Sequence, residues 1–439
     1  VIYKNKETTG SIESGSSILN VPTVDDKSIG CTVFIHGAGV DGEVLKTNVV
    51  GANIDEHELT VSAPAENTVV SSKVEFPFGW FDNGSSVGCG FSWPEVGIIT
   101  LTPSVADGNY LGAGAVVGDE SVNIGRFIPD HFTVTDNTPQ LPKFEHACGT
   151  FTYLGQEFGF LDNPILTVTA RSVSGNVVKN YGGLFWKYSG DLIGRNYSHS
   201  GAEAATVNLT TAGTEDLSGN DDYDGIGMVE ISGERLTYQR PNAAVEPYDT
   251  KVDLSLTTGD LTDSDDVCYY ENPTDPGREC QGYTISNIGD TQQRYGRLAL
   301  ENVYGSELLD LKMPMVAEYF NQGSFQTNTN DECTELTLIN HLELKEDEGV
   351  WVDGTNDIEV GNGSTSASIS NSPLVDGDAG LSFSAPGAEN AGSFYVRTNI
   401  ATDYPWLLYD WNNNDTQTNP TAKATFGIFK GNPSLIYTR

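Results

Sequence analysis

Basic residues are scarce in this sequence, and their scarcity argues against one large class of partners. Lysine and arginine together number 23, against 61 aspartates and glutamates, which gives a formal net charge of -38. A surface this negative repels phosphate backbones, so we expect no nucleic-acid partner. Salt or divalent cations would relieve the self-repulsion, which favours a saline extracellular setting.

Catalytic signatures and membrane-spanning runs are also missing. No stretch approaches the roughly 18 consecutive apolar residues that a membrane-spanning helix needs. The six histidines are scattered, and neither a G-x-S-x-G nor an H-E-x-x-H motif accompanies them. We therefore predict no catalytic residues, no enzymatic activity and no membrane span. Paired carboxylates occur by chance in so acidic a chain, which leaves a carbohydrate-active enzyme as a distant alternative.

The cysteines are few but even in number. No two of the six form a C-x-x-C pair, and no histidine lies close enough to suggest a zinc site. The even count predicts disulfides and an oxidising compartment. Sequence alone leaves several pairings open; from position we expect Cys268–Cys280, Cys31–Cys89 and Cys148–Cys333. The opening VIYKNKETTG has neither a starting Met nor a signal peptide, so we interpret the chain as a mature or trimmed part of a longer secreted protein.

Apolar and polar residues alternate wherever a period can be read, which indicates β-strands. Clusters of Gly, Asn, Asp, Ser and Pro between these runs supply turns. The sequence therefore predicts an all-β fold of about three tandem immunoglobulin-like or β-sandwich domains with long acidic loops. The predicted domains are residues 1–125, 126–290 and 291–439. The residues expected to share a buried face include Leu166, Val168 and Ala170; Val252, Leu254 and Leu256; Phe394 and Val396; and Ala424, Phe426 and Ile428.

Two acidic loops have the alternate Asp and Asn spacing that calcium sites use, because hard cations bind clustered oxygen atoms. Neither loop is an EF-hand, since the twelfth position lacks the required acid in both. Calcium is the one cofactor we consider, and a solvated turn is the alternative at each place. The candidate metal ligands are Asn220, Asp222, Asp224 and Glu230 in the first loop, and Asp410, Asn412, Asn414 and Asp415 in the second.

Tryptophans offer a second kind of site, because an exposed indole stacks on sugar rings, whereas a buried one packs in a sandwich core. Trp406 and Trp411 lie at the edge of the second acidic loop, so they are the candidate binding residues, with surface carbohydrate as the candidate partner. The other aromatic residues considered are Trp80, Phe81, Trp93, Trp186 and Trp351.

Several phrases from residue 125 onwards resemble one known family. In chain order they are similar to the C-terminal region of MshQ-like proteins, which are encoded with the mannose-sensitive haemagglutinin (MSHA) type IV pilus of marine gamma-proteobacteria. The resemblance implies a large pilus-associated surface protein rather than a particular chemistry. The phrases are GRFIPDHFTV (125–134), ACGTFTYLGQEF (147–158), LTVTARSVSGNVVKNYGG (166–183), GRLALENVYGSELLDLKMPMVAEYF (296–320), FQTNTNDECT (325–334), LSFSAPGAENAGSFYV (381–396), PWLLYDWNNND (405–415) and ATFGIFKGNPSLIYTR (424–439).

These observations favour an adhesin or tip component of an MSHA-like type IV pilus, on the surface of a Gram-negative, marine bacterium. Its partners would be pilins or minor pilins. The alternative is a structural stalk or filament-building subunit without receptor binding. The C-terminal strand, residues 423–439, is apolar and locally basic, and it either completes a sheet or offers an edge for attachment by strand addition.

We predict that all six cysteines are oxidised in three bridges within the chain, because a free thiol outside the cell is a liability. Mass spectrometry of the unreduced protein, after alkylation of free thiols, measures this directly. More than one alkylated cysteine would contradict the disulfide framework.

Overall fold

The protein is nearly all β. The computed structural model describes residues 6–22, 24, 29–76, 93–104, 108–109, 111–136, 142–275 and 277–427. Within these ranges the chain forms 34 strands and one short α-helix, α1 (Leu338–His341), which confirms the predicted fold class. None of the described helices is long and apolar enough to cross a membrane. Short 3-10 turns lie at Val40–Gly42, Gly183–Phe185, Gly259–Leu261 and Pro405–Leu407.

Contacts along the chain divide it into two compact units, Val1–Val96 and Gly97–Arg439. The first unit contains β1 (Lys6–Ile12), β2 (Ile18–Asn20), β3 (Thr32–Ile35), β4 (Leu45–Asn53), β5 (Glu58–Val61) and β6 (Val69–Phe76). These strands close into one sheet in the order β1-β2-β5-β4-β3-β6. The strands alternate between buried and half-buried residues. In β3, Val33 and Ile35 are fully buried, whereas Thr32 and Phe34 are half-buried.

The second unit begins with an antiparallel pair, β7 (Gly97–Ile99) and β8 (Ile124–Phe127). Four sheets follow, in the orders β10-β12-β18-β15, β11-β22-β19, β16-β17-β13-β9 and β14-β20-β21. Their strands are β9 (His131–Asp136), β10 (Lys143–Phe144), β11 (Phe151–Tyr153), β12 (Glu157–Asp162), β13 (Ile165–Arg171), β14 (Asn196–His199), β15 (Val207–Thr211), β16 (Thr214–Ser218), β17 (Ile226–Ser232), β18 (Arg235–Tyr238), β19 (Tyr248–Asp249), β20 (Val252–Leu256), β21 (Tyr283–Ile288) and β22 (Gln292–Arg294).

The rest of the second unit is a β-sandwich. Its two large sheets have the orders β24-β34-β33-β28-β29 and β25-β32-β31-β30, and a third has the order β23-β26-β27. The strands are β23 (Gly296–Leu300), β24 (Val303–Gly305), β25 (Leu311–Lys312), β26 (Met315–Asn321), β27 (Ser324–Thr327), β28 (Leu342–Glu346), β29 (Val352–Asp353), β30 (Asp357–Val360), β31 (Gly363–Ile369), β32 (Leu381–Phe383), β33 (Gly392–Thr398) and β34 (Thr421–Phe426).

The predicted alternation is confirmed wherever the structure describes it. Side chains of a strand point to opposite faces in turn, so every second residue enters the core. Ile428 lies outside the described residues. The other residues predicted to share a face are all buried, namely Leu166, Val168, Ala170, Val252, Leu254, Leu256, Phe394, Val396, Ala424 and Phe426.

The described part of the C-terminal strand completes a sheet. Strand β34 pairs antiparallel with β33 on one side and parallel with β24 on the other. Both edges of Ala424–Phe426 are therefore occupied by neighbouring strands, which leaves no edge for strand addition at those three residues. Residues 428–439, which form most of the predicted attachment segment 423–439, lie outside the described residues.

The first compact unit ends at Val96, whereas the first predicted boundary lies after residue 125. The second predicted boundary, after residue 290, lies next to β22. That strand pairs with β11 and β19 of the preceding domain. The predicted domain bounds 1–125, 126–290 and 291–439 stay predictions.

Two disulfides are described in full, and both join the cysteines that were expected to pair. Cys268 is bonded to Cys280 across a short loop, and Cys148 is bonded to Cys333 across 185 residues of sequence. Cys31 is also disulfide-bonded, and it is buried in the core of the first unit. Its predicted partner, Cys89, lies outside the described residues.

The long-range disulfide belongs to a core that two successive domains share. Cys148, Phe151 and Tyr153 come from the domain that contains β9 to β22, yet they pack in one apolar cluster with residues of the sandwich such as Leu298 and Phe394. All three are completely shielded from solvent. The two domains therefore have no separate cores at this point.

A buried carboxylate lies at the joint, which is the region around Cys148–Cys333 where the two domains share a core. Asp331 has no solvent exposure, and its oxygens accept hydrogen bonds from the Tyr153 hydroxyl (2.8 Å) and the Thr334 hydroxyl (2.9 Å). The backbone N–H groups of Cys333 and Thr334 donate to the same carboxylate at 3.2 and 3.0 Å. Burial, and then the charge of Asp331, raises the pKa of Tyr153 well above its usual range, so the hydroxyl stays a donor.

Two arginines on either side of the joint stabilise it. Arg294 donates to Asn328 Oδ1 at 2.6 Å, and its guanidinium lies 4.4 Å from the ring centre of Phe151. Arg240 donates to the carbonyl oxygens of Gly296 (2.7 Å) and Leu408 (2.9 Å). Arginine suits both places because its planar group stacks on aromatic rings while its N–H groups bond in the plane.

Removing the Cys148–Cys333 bridge should destabilise the protein more than removing Cys268–Cys280. On the chain-entropy model, a bridge across 185 residues contributes about 5 kcal/mol and one across 12 residues about 3 kcal/mol. Urea unfolding of the double variants Cys148→Ala/Cys333→Ala and Cys268→Ala/Cys280→Ala measures the difference. An equal or larger loss for the short-loop variant would contradict the central place of the joint.

Candidate functional site

The second acidic loop is closed by its own carboxylate. Asp410 Oδ1 accepts the backbone N–H groups of Asn412 (3.3 Å) and Asn414 (3.1 Å), and Oδ2 accepts that of Asp415 (2.8 Å). These bonds, chiefly that from Asn414, lower the pKa of Asp410. The loop is therefore held at neutral pH, and its hydrogen bonds weaken only as the pH falls through that lowered pKa.

The two candidate tryptophans have different surroundings. Trp406 lies in a 3-10 turn and packs against the shared core, with its ring centre 5.8 Å from that of Tyr404. Trp411 lies beside the acidic loop, where its ring is 5.2 Å from that of Tyr409 and 4.7 Å from the Arg297 guanidinium. The structure thus separates the predicted pair, and Trp411 alone lines a cleft.

That cleft has a volume of about 760 Å³ and mainly polar walls. Arg397, Asn412, Gln417 and Asn419 line it together with Trp411. The indole Nε1 of Trp411 is shielded from water and has no hydrogen-bond acceptor among the described residues. The contribution of Trp411 to the cleft wall therefore comes from its other atoms, since a ligand cannot reach a nitrogen that water cannot reach.

Arg397 connects the cleft to an aromatic and cationic face of the sheet. Its guanidinium forms an ion pair with Glu343 and lies 4.3 Å from the ring centre of Trp351. On the neighbouring strand, Lys423 contacts Asp347 at 2.7 Å and lies 4.9 Å from the ring centre of Tyr395. Each of these two cations is therefore paired with a carboxylate and lies beside an aromatic ring.

The predicted ligands of the first acidic loop do not all lie close together. Asp222 and Asp224 are exposed, and Asp224 Oδ1 accepts the backbone N–H of Ile226 at 2.8 Å. Glu230 lies four residues beyond Ile226 on β17, which corresponds to about 13 Å in an extended strand. Its carboxylate accepts a hydrogen bond from Asn163 at 2.7 Å. Glu230 therefore belongs to the sheet and not to the loop.

Of the other candidate tryptophans, those described below are buried or half-buried. Trp186 is buried, and its indole nitrogen donates to the carbonyl oxygen of Tyr188 at 2.6 Å. Trp93 is half-buried. Trp80 and Phe81 lie outside the described residues. Arg397 was not among the predicted site residues, although its outward position follows from the alternation of β33.

Metal-ligating side chains converge in one place among the described residues. The ligand atoms of Cys148, Asp331 and Cys333 lie within 4.8 Å of one another, but both sulfurs are in a disulfide. Neither acidic loop brings three carboxylate or imidazole ligands together in this way, so calcium there would rely on amide and carbonyl oxygens as well. Calcium stays a prediction for both loops.

Most of the chain matches two models of one protein family. Residues 95–286 match DUF6701, third domain, and residues 294–439 match DUF6701, fourth domain. The two matches together cover more than three quarters of the sequence. The chain belongs to the DUF6701 family. The cleft beside Trp411 lies within the fourth DUF6701 domain, and the shared core joins the third domain to the fourth.

Comparison with solved structures finds distant likenesses. A chimeric titin Z1Z2-Z1Z2 tandem functionalized with a GRGDS peptide from fibronectin has 14% identity and a TM-score of 0.16, covering 65% of this chain and 99% of that one. The adhesin InvE of Yersinia pseudotuberculosis has 12% identity and a TM-score of 0.17, covering 68% and 59%. BcpA, the major pilin subunit of Bacillus cereus, has 9% identity and a TM-score of 0.13, covering 94% and 92%. No curated protein matches the chain in sequence.

Calcium should raise the melting temperature of this DUF6701 protein over that in excess chelator at fixed ionic strength, because an ion that binds only the folded state stabilises it. Replacing Asp410→Asn should reduce the shift, since it removes a charged oxygen ligand from the second loop. Asp216→Asn, at an exposed position on β16, is the matched control. Identical melting curves with calcium and with chelator would contradict the prediction.

Proposed function

We propose that this chain is an extracellular, pilus-associated surface protein that carries an adhesive cleft beside Trp411. The resemblance of its sequence to MshQ-like proteins makes an MSHA-like type IV pilus the proposed assembly, with pilins or minor pilins as its partners and a Gram-negative, marine bacterium as its source. Disulfides support an oxidising location outside the cell. The proposed ligand is a surface carbohydrate.

The observation that carries the adhesive function is the composition of the cleft. Sugar-binding surfaces combine an aromatic face with side chains that donate and accept hydrogen bonds. Trp411 supplies the aromatic group, Asn412, Gln417 and Asn419 supply amides, and Arg397 supplies a charged donor.

The shared core explains how such a cleft would be presented. Adhesion transmits force from a bound ligand into the protein, and a flexible domain connection would yield first. Here Cys148–Cys333 crosses the connection covalently, and the buried bonds of Asp331 close it. The fourth domain would therefore hold the cleft in a fixed position relative to the third.

The same joint favours the second candidate function, a structural stalk or filament-building subunit. A stalk needs stiff connections between successive domains but no ligand. The two functions differ in what they require of Trp411: an adhesin needs its side chain in the cleft, whereas a stalk does not.

Trp411→Ala should weaken carbohydrate binding and leave pilus assembly unchanged, because the substitution removes the aromatic wall of the cleft and leaves the joint intact. Loss of a stacking aromatic should weaken binding at least about tenfold. Tyr304→Ala is the matched control, since Tyr304 is an exposed aromatic of the same domain that does not line the cleft.

Purified variants would be applied to arrays of neutral and uronic-acid-containing oligosaccharides, and cells carrying them would be scored for adhesion and piliation. Wild-type binding by Trp411→Ala would reject the adhesive cleft. Loss of pili in that variant, with no oligosaccharide bound by the wild type, would favour the stalk.

A further inference from the structure

A second cavity, separate from the cleft, lies in the third DUF6701 domain. It has a volume of about 480 Å³ and lies between the segment that precedes β15 and the loop that precedes β19. Apolar side chains, among them Leu154, Ala205 and Val245, make up most of its wall. A concave site of this size with few polar groups is the usual form of a small-ligand pocket.

The charged residues of the wall are all acidic. Glu203 and Glu246 line the cavity, and neither lysine nor arginine is among its lining residues. Glu246 is already engaged, because its two oxygens accept the backbone N–H groups of Gln322 (2.8 Å) and Gly323 (2.9 Å). Glu203 is therefore the carboxylate with capacity for a ligand, and 44% of its side chain is exposed.

A buried histidine, His199, contacts the carboxylate of Glu203. The His199 side chain is only 2% exposed, and its Nε2 lies 3.4 Å from Glu203 Oε2, with no hydrogen bond of good geometry. Its Nδ1 lies 2.8 Å from the Tyr238 hydroxyl. The contact with His199 restrains Glu203 at the cavity while leaving its carboxylate partly unsatisfied.

Gly201 keeps this arrangement possible. A Cβ at that position would lie 2.5 Å from His199 Nε2 and 2.6 Å from Glu203 Oε2, closer than real Cβ atoms come. Any larger residue would therefore push the carboxylate and the imidazole apart. A glycine here leaves room for the carboxylate and the imidazole in their present positions.

Tyr248 completes the polar end of the cavity. Its ring lines the wall and lies 5.6 Å from the His199 ring, centre to centre. Burial, and then the negative charge of Glu203, raises the pKa of Tyr248, so its ring stays a neutral phenol beside a carboxylate. A carboxylate next to an electron-rich aromatic face is a favourable environment for an organic cation.

We propose that this cavity binds an alkylammonium group, of the kind that a lysine side chain of a partner protein presents. Glu203 pairs with the ammonium, Tyr248 offers its aromatic face, and the apolar wall receives the methylene chain. The acidity of the whole chain draws such a cationic segment towards it. The proposal does not depend on the adhesive cleft.

The test uses the whole chain with n-butylammonium as the probe and butyrate as its anionic counterpart, at fixed ionic strength. Methyl NMR signals of Ala204, Ala205 and Val245 report on the cavity wall. Butylammonium should shift these signals in a saturable way, and butyrate should not. Because this comparison uses the wild-type protein, it is decisive even if a variant fails to fold.

Glu203→Gln should raise the Kd for butylammonium about tenfold, because it removes the charge and keeps the shape. Glu157→Gln, on the exposed side of β12, is the matched control and should leave the Kd unchanged. Equal shifts with butyrate and butylammonium, or an unchanged Kd in Glu203→Gln, would overturn the proposal.

Discussion

Asp331 carries a carboxylate that is fully shielded from solvent, and the association of the two DUF6701 domains depends on how that charge is satisfied. An unpaired buried charge would be prohibitively costly, so its oxygens must be met by donors. The donors come from both sides: Tyr153 from the third domain, and Thr334 with the backbone of Cys333 from the fourth. Cys148–Cys333 closes covalently over the same point. Because the apolar core runs through this joint, separating the domains would expose both the core and the charge.

Several of the scarce arginines lie where a planar cation can stack on an aromatic ring. Arg294 lies against Phe151, Arg240 against Tyr295, Arg297 against Phe325, and Arg397 against Trp351. Stacking leaves the edges of the guanidinium free to donate, so one side chain both fills apolar space and satisfies buried acceptors. In a chain with a net charge of -38, these few arginines therefore link aromatic rings to hydrogen-bond acceptors inside the protein.

The carboxylates serve three different purposes that composition does not distinguish. Asp331 is buried and structural, Asp410 closes its own loop by accepting backbone N–H groups, and Glu203 faces a cavity with part of its capacity unused. The difference lies in the donors that surround each oxygen. For this reason the acidic spacing that suggested calcium describes the second loop only in part, and Glu230 of the first loop proved to belong to a strand.

The sequence by itself determined the fold class and the buried faces of the strands, because the two-residue period of a strand is a local property that alternation such as Phe394 and Val396 displays directly. Position along the chain was also enough to suggest the pairs Cys148–Cys333 and Cys268–Cys280. Only the tertiary structure decided which of Trp406 and Trp411 lines a cleft, since both occupy the same short segment and differ in what packs against them. It alone placed Tyr153 against Asp331 and Tyr248 against His199, because these contacts join residues far apart in sequence and depend on how whole sheets pack.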